Sequence, residues 1–189
     1  DAVELQMAQA MGYDAMTIGN HEYDWGPGML GDIIATGNSK GVTVPLVAAN
    51  IVPSATDPAD DSLAAHLDSG RIVPSLVLTL DNGLEIGIFG LLGDEAASVA
   101  PASAPTSFDD PTQVATDMVA ELEAQGVDLV LGLTHAGVTE DPASSPDELM
   151  AEAVPGIDVI VGGHSHTPMG EVRVAGDTVI VQAGAYTTW

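Results

Sequence analysis

Short apolar runs alternate along this chain with segments whose apolar residues recur at helical spacing, a pattern typical of an α/β fold. Several runs are apolar almost without interruption, which predicts mixed, mainly parallel sheets that are covered on both faces. Asp81-Asn82-Gly83 between two such runs indicates a β-hairpin. The predicted strands are 15–18, a segment within 42–51, 76–80, 84–92, 127–133, 157–161, 173–174 and 178–182.

Helices are predicted where the apolar spacing is three to four residues and where capping residues mark the ends. The clearest one begins at Pro111 after Asp110, whose side chain suits an N-cap, and ends at Gly126. The predicted helices are 2–11, 111–125 and 146–153, and the polar stretches 53–70 and 93–110 are predicted to be surface loops.

Three of the predicted strands run directly into polar segments that contain histidine. The segments are GNHEYD at 19–24, THAG at 134–137 and GGHSH at 162–166. Because ligands of open α/β sheets bind beyond the carboxyl ends of strands, we expect the three segments to meet at one edge. A single histidine after a strand is usually an ordinary surface residue, so the prediction depends on the coincidence of three. His66, in an acidic stretch, is predicted to be a surface residue.

Imidazole and oxygen ligands without sulfur favour zinc, manganese, iron, cobalt or nickel. The chain has no cysteine, which also excludes disulfides and thiolate chemistry. His164 and His166 would point in alternate directions along an extended chain, so they could serve two neighbouring ions. Two ions about 3.5–4 Å apart stabilise both oxygens of a displacement at phosphorus. The histidine pattern therefore predicts a centre with two divalent metal ions and a phosphoester substrate.

The charge of the chain limits its partners. Asp and Glu number 28 against three Lys and Arg residues, which gives a net charge of −25. Such a surface excludes binding to nucleic-acid polymers through their phosphates and argues against docking on anionic membranes. The apolar content of 46% favours a folded domain with an acidic, solvated shell over a disordered chain. Bound metal ions would reverse this field locally for an anionic phosphate.

The histidine-bearing segments also resemble a known family. The matching blocks are GYDAMTIGNHEYDWG at 12–26, LTHAG at 133–137, VPGIDVIVGGHSHT at 154–167 and VQAGAY at 181–186. In this order they resemble the calcineurin-like metallophosphoesterases, and within them the 5′-nucleotidase, 2′,3′-cyclic phosphodiesterase and UDP-sugar hydrolase group. The resemblance implies a four-layer α/β/β/α sandwich. It also implies hydrolysis of nucleotide phosphate esters by a water that two metal ions activate.

The resemblance further implies roles for individual residues. His21 would stabilise the transition state or protonate the leaving oxygen, and Asp24 would orient its ring. An aspartate in that place favours one tautomer and the protonated form of a neighbouring imidazole, whatever the family. The implied metal ligands are Asn20, His135 and His164 on one ion and His166 on the other.

Two blocks of the family pattern, Asp-x-His and a Gly-Asp whose carboxylate bridges the ions, do not occur in the expected order here. We expect both upstream of Asp1, and we expect a C-terminal nucleotide-binding domain beyond Trp189. Both ends fall inside or beside predicted elements. Residues 1–189 are therefore interpreted as a partial metallophosphoesterase catalytic domain, which alone could be inactive.

Several alternatives fit parts of the pattern. A degenerate or truncated phosphoesterase would bind a metal ion without turnover, and the complete gene would then lack intact upstream blocks. His-x-His also occurs in amidohydrolase barrels, but there it follows the first strand rather than a late one. Within the family, 5′-nucleotidase activity is favoured, and hydrolysis of cyclic nucleotides or UDP-sugars stays open. The family is usually exported, so we expect an extracellular, periplasmic or cell-surface location.

The acidic shell predicts a salt-loving source organism and a fold that salt stabilises. At molar ionic strength the Debye length falls to about 3 Å, which screens most of the repulsion between surface carboxylates. We expect the melting temperature to rise between low salt and molar KCl. A melting temperature that is unchanged or lower in molar KCl would contradict the prediction.

Overall fold

The computed structural model describes residues 1–185. Its helices are α1 (Val3–Met11), α2 (Pro27–Ser39), α3 (Asp61–Asp68), α4 (Asp94–Ser98), α5 (Pro111–Gln125) and α6 (Pro146–Ala153). Its strands are β1 (Leu46–Val47), β2 (Ile51–Val52), β3 (Ile72–Val73), β4 (Ser75–Thr79), β5 (Glu85–Leu92), β6 (Ser107–Phe108), β7 (Leu129–His135), β8 (Val159–Gly162), β9 (Arg173–Ala175) and β10 (Thr178–Gln182).

The centre of the described chain is a six-stranded sheet with the order β4-β5-β7-β8-β10-β9. The four inner strands are parallel, and β4 and β9 pair antiparallel at the two edges. The register pairs Leu92 with His135 and Leu133 with Val161. The carboxyl ends of β5, β7 and β8 therefore lie side by side at one edge of the sheet.

Helices and a smaller sheet cover the two faces. Helices α5 and α6 pack on one face around Phe89, Leu122 and Ile160, which are fully buried. On the other side, β1 and β3 form a short parallel sheet beneath α1, α2 and α3. Where β5 crosses β1, a Cβ on Gly90 would lie 1.9 Å from the Val47 carbonyl oxygen, so only glycine fits. This layering confirms the predicted α/β sandwich class.

Several elements match the sequence prediction because local chemistry determines them. The Asp110 carboxylate caps α5 by accepting the Gln113 N–H at 2.8 Å, and Gly126 ends the helix with a φ of 84°. Gly12 ends α1 in the same left-handed conformation. The hairpin of β4 and β5, the limits of α6 and the hairpin of β9 and β10 also agree with the prediction.

The first two predicted strands are shorter than expected. Instead of a strand at 15–18, the structure has one parallel bridge between Met16 and Leu46. The predicted strand within 42–51 is divided into β1 and β2 by a bend at Asn50. The buried Asn50 amide exchanges hydrogen bonds with the Leu92 backbone, at 2.8 Å to its oxygen and 3.0 Å from its nitrogen. These contacts bend the chain toward β5, and this bend interrupts the strand.

The two predicted surface loops contain regular structure. Residues 61–68 form α3, which packs on α2 with Leu63 fully buried. His66, expected at the surface, is half-buried, and its Nε2 lies 2.9 Å from the Gly31 carbonyl oxygen. Residues 93–110 include α4 and β6. Both stretches are mostly polar, and the short elements in them contain few apolar residues. The sequence pattern therefore did not predict these elements.

Most acidic residues of the described chain lie at its surface, in agreement with an acidic shell. The buried acids among residues 1–185 are Asp60, Asp147 and Glu148. Glu148 pairs with Arg173 at 2.8 Å. Asp147 accepts hydrogen bonds from the Thr134 hydroxyl and the Gly137 N–H, and burial raises its pKa to about 6. No helix in residues 1–185 has the length and apolar character of a membrane span.

The raised pKa of Asp147 predicts a pH-dependent difference in stability between the wild type and Asp147→Asn. The folded protein keeps this proton up to about pH 6, whereas the unfolded chain loses it near about pH 4. Folded wild type therefore binds more protons than unfolded wild type in this range, which makes it less stable as pH rises. Relative to the variant, its free energy of unfolding should fall by up to about 3 kcal/mol between about pH 4 and 6.

Urea unfolding of both proteins at successive pH values measures this difference. Above about pH 7 the difference should be constant, because Asp147 is then ionised in both states. A difference that does not change with pH would show that Asp147 does not titrate as stated.

Candidate metal centre

Asn20, His135 and His164 meet at the carboxyl edge of the central sheet. His135 Nε2 lies 2.7 Å from the Asn20 Oδ1 atom, and His164 Nδ1 lies 3.3 Å from the same oxygen. The centroids of the two imidazole rings are 5.0 Å apart. The structure therefore brings together three residues that lie in three separate sequence segments.

A tight turn places Asn20 at the cluster. Gly19 is extended and residues Asn20–Tyr23 form a single 3-10 turn. The Glu22 carboxylate accepts the Gly19 N–H at 2.8 Å, which closes the turn. Tyr23 is fully buried and packs edge-on against Phe108, with ring centroids 5.4 Å apart. The turn is thus fixed at both ends, and the Asn20 side chain is buried between them.

His135 is the last residue of β7, and its ring packs on the backbone of Gly19. A Cβ at Gly19 would lie 2.8 Å from the His135 Cε1 atom. Burial, together with the electrostatic influence of His164, His21 and His166, lowers the pKa of His135 to about 4. His135 is therefore neutral at pH 7 and can offer a nitrogen lone pair to a metal ion.

His164 follows β8 and contacts a carboxylate that the sequence analysis did not single out. Its Nδ1 faces Asn20, and its Nε2 contacts an oxygen of Glu95. Glu95 belongs to α4, which begins directly after β5. Because β5 is parallel to β7, the rule that located the histidines also places residues 93–95 at this edge. Glu95 was missed because it lay in a predicted loop and is one of 28 acidic residues.

The remaining predicted residues lie beside this cluster. The exposed His21 ring has its Nδ1 atom 3.1 Å from the nearer Asp24 oxygen, so these two side chains are within hydrogen-bond distance. His166 is exposed and adopts a left-handed backbone with a φ of 56°. Both histidines are close enough to lower the pKa of His135 electrostatically. The VQAGAY block extends to Tyr186, which lies outside the described residues.

The cluster offers two imidazole nitrogens and one amide oxygen, a donor set that suits one ion of the predicted kinds. In residues 1–185, no group of three or more His, Cys, Asp or Glu side chains could hold a metal ion. The cluster is not such a group, because its third residue is an asparagine, but its donors still fit the ion assigned to Asn20, His135 and His164. The ion assigned to His166 lacks a comparable set within the described chain.

The chain is similar in sequence to known nucleotide phosphoesterases. A comparison with models of known protein families gives no match. The trifunctional nucleotide phosphoesterase protein YfkN of Bacillus subtilis is 31% identical over 205 residues, which cover 97% of this chain and 14% of YfkN. A 5′-nucleotidase of Diplobatis ommata is 33% identical over 160 residues, which cover 84% of this chain and 24% of that protein.

Solved structures show the same fold. The 5′-nucleotidase precursor from Thermus thermophilus matches with a TM-score of 0.75 and 30% identity, over 95% of this chain and 35% of that one. The calcineurin-like phosphoesterase YfkN matches with a TM-score of 0.68 at 22% identity, over 95% of this chain and 57% of that one. The chain belongs to the calcineurin-like phosphoesterases, in their 5′-nucleotidase group. It spans 14% and 24% of the length of the two curated relatives.

The packing of Gly19 on His135 predicts the effect of a single methyl group. In Gly19→Ala the new Cβ would lie 2.8–3.0 Å from three atoms of the imidazole ring, so the ring must move. We expect a loss of about 1–3 kcal/mol in the free energy of unfolding, as is typical of overpacking. NMR of the His135 ring should show a matching change of its environment.

Gly170→Ala is the matched control, because a Cβ there would have no atom within 4 Å. We expect it to change stability by less than about 0.5 kcal/mol. Equal effects of the two substitutions would contradict the described contact between Gly19 and His135.

Proposed function

We propose that this chain is part of the catalytic domain of a metal-dependent hydrolase that cleaves phosphate esters of nucleotides. The observation that carries the proposal is the convergence of Asn20, His135 and His164 at one edge of the sheet. The names of the relatives, a nucleotide phosphoesterase and 5′-nucleotidases, support a nucleotide substrate. They favour 5′-nucleotides over the alternatives of 2′,3′-cyclic nucleotides and UDP-sugars.

A bound divalent ion would supply positive charge for the phosphoryl oxygens and a nucleophilic water. The proposed ligand atoms are Asn20 Oδ1, His135 Nε2 and His164 Nδ1. Because the pKa of His135 is about 4, its ring is neutral at pH 7, and the tautomer that carries its proton on Nδ1 leaves Nε2 free for the ion. The Glu95 carboxylate can accept a hydrogen bond from the Nε2–H of His164, which fixes the tautomer that leaves Nδ1 free for the ion.

We propose that a second ion binds with His166 among its ligands, and that its remaining ligands lie outside residues 1–189. The motif resemblance supports this assignment. We also propose that the parts that grip the nucleotide lie outside this chain. The small share of the relatives' length that the chain spans, 14% and 24%, is consistent with such a division.

His21 is proposed to act on the reacting phosphate, with Asp24 as its orienting partner. The Asp24 carboxylate can accept the Nδ1–H of His21, which leaves Nε2 to stabilise the phosphoryl oxygens or to protonate the leaving oxygen. The His21 side chain is 71% exposed, so a substrate can approach it from solvent. His21 lies close enough to His135 to affect its pKa, which supports a role at the same centre.

Two properties of the parent protein follow as proposals. We propose export to the periplasm, the cell surface or the medium, because the Thermus thermophilus neighbour is described as a precursor. We also propose that the protein works at high salt, because its net charge is −25 and its described acids are mostly exposed. Under those conditions a metal ion would attract the anionic phosphate to an otherwise repulsive surface.

Metal binding by the chain itself tests the site. We expect the protein in molar KCl to bind one equivalent of Zn²⁺ or Mn²⁺ in a calorimetric titration. His135→Ala should weaken binding by more than the roughly 10–100-fold that is typical of losing a group that only orients a ligand. His66→Gln is the matched control, since this half-buried histidine contacts the Gly31 carbonyl oxygen and no residue of the cluster. The metal affinity of this variant should equal that of the wild type.

Hydrolysis assays on the same preparations separate the proposed functions. Phosphate release from AMP and cleavage of bis(p-nitrophenyl) phosphate are measured with and without metal, with 2′,3′-cyclic AMP and UDP-glucose as competing substrates. Metal-dependent hydrolysis that is lost in His135→Ala would support catalysis within this chain. One bound equivalent without hydrolysis would favour the metal-binding module. Absence of metal binding by the wild type would contradict the proposed site.

A further inference from the structure

The segment that carries His164 and His166 has a backbone that side chains normally avoid. His164 has a φ of 76° and His166 a φ of 56°, both in the left-handed region. Residues other than glycine rarely adopt this region, and they stay in it only where their surroundings hold them there. The segment between β8 and β9 therefore needs contacts that fix it from outside.

Gln182 supplies such contacts from the end of β10. Its side chain is buried, and the register places it level with Gly162 on β8. The Nε2 group donates to the Thr167 carbonyl oxygen at 2.9 Å and to the Ser165 hydroxyl at 3.0 Å. The Oε1 atom accepts the N–H of Val138 at 3.3 Å. One amide thus ties the residues on both sides of His166 to the loop that follows His135.

Asp147 makes similar contacts from α6. It is fully buried, and its two carboxylate oxygens accept the Thr134 hydroxyl at 2.7 Å and the Gly137 N–H at 3.1 Å. The Asp147 N–H in turn donates to the Gly137 carbonyl oxygen at 3.1 Å. These bonds bracket His135 on both sides. The carboxylate also lies against β8, because a Cβ on Gly162 would be 2.4 Å from it.

We propose that Asp147 and Gln182, here called the buried clamp, are positioning residues that hold His135 and His164 at metal-binding distance from Asn20. The proposal rests on the proposed function, because it takes the ion to bind at that cluster. The clamp acts through the residues that flank the histidines, so it sets ligand geometry without supplying a ligand. Side chains that orient metal ligands in this way typically contribute about 10–100-fold to metal affinity.

The test compares two clamp variants with two matched controls. Gln182→Met keeps the side-chain length without the amide, and Asp147→Asn removes the charge and one acceptor. Thr178→Val is the control for β10, because its buried hydroxyl donates to Ile157 at the opposite end of the strand. Glu148→Gln is the control for α6, because it is the adjacent buried carboxylate and pairs with Arg173.

Zn²⁺ affinity and the melting temperature of the metal-free protein are measured for all four variants. We expect the clamp variants to bind Zn²⁺ about 10–100-fold more weakly than the wild type, and the controls to bind it as the wild type does. A merely structural role would lower the melting temperature without separating the affinities of clamp and control variants. Should Gln182→Met not fold, Gln182→Glu keeps the acceptor oxygens and replaces the amide donors with a carboxylate.

Hydrogen exchange of the metal-free protein provides a readout that does not depend on metal binding. The Ser165 N–H donates to the Gly163 carbonyl oxygen at 3.0 Å, so its exchange rate reports the shape of the segment. We expect faster exchange at Ser165 in the clamp variants than in the controls. If the wild type bound no Zn²⁺, the proposed function would fail. The hydrogen-exchange rates alone would then test whether the buried clamp holds the segment. Equal exchange rates and equal affinities in clamp and control variants would overturn the clamp.

Discussion

The parallel pairing of β7 with β8 is the constraint on which the rest of the candidate site depends. Leu133 lies opposite Val161 in this pair, so His135 and Gly163 continue at the same level where the strands end. A slip of one residue would turn His135 to the other face of the sheet. The same register, carried on to β5 and β10, places Gly93 beside His135 and Gln182 beside Gly162. Backbone hydrogen bonds along four strands therefore determine which side chains can meet at the edge.

Burial at this edge of the sheet shifts the pKa values of its histidine and its aspartate in opposite directions. Removing His135 from water lowers its pKa to about 4, whereas removing Asp147 from water raises its pKa to about 6. Both shifts favour the neutral form, because a charge without solvent is costly. At pH 7 the buried His135 ring is therefore neutral, whereas Asp147 is largely ionised and adds a buried negative charge to a chain whose net charge is −25. A divalent ion at the edge would bring the concentrated positive charge that an anionic substrate requires.

Sequence reasoning succeeds here where one local signal determines the structure. Asp110 and Gly126 delimit α5, and three predicted strand ends that are followed by polar, histidine-bearing segments predict the meeting of Asn20, His135 and His164. It fails where a distant contact decides. The bend at Asn50 depends on a hydrogen bond to Leu92, which lies 42 residues away. The helix at 61–68 is stabilised by packing on α2. Its few apolar residues are too sparse to predict that packing from the sequence.

The supporting residues of the site are harder to predict than its histidines. Glu95 and Asp147 look like any other acidic residue, and only the three-dimensional structure shows that Asp147 is buried and that Glu95 reaches His164. Gln182 is the last residue of an apolar strand, and in the sequence it looks like any polar residue at the end of a strand. Buried polar side chains depend on partners from other elements, so their roles follow from the fold rather than from neighbouring residues. The family resemblance points to the ligands but not to these supports.

Asn20, from the turn after Gly19, is proposed to share a single metal ion with His135 and His164, from the ends of β7 and β8. Anomalous diffraction from crystals loaded with Zn²⁺ tests it most directly, because it locates the ion without relying on affinity or activity. The account predicts an anomalous peak at about 2.0–2.2 Å from Asn20 Oδ1, His135 Nε2 and His164 Nδ1. A peak held by His21 and Asp24 alone, or none near His135, would contradict it.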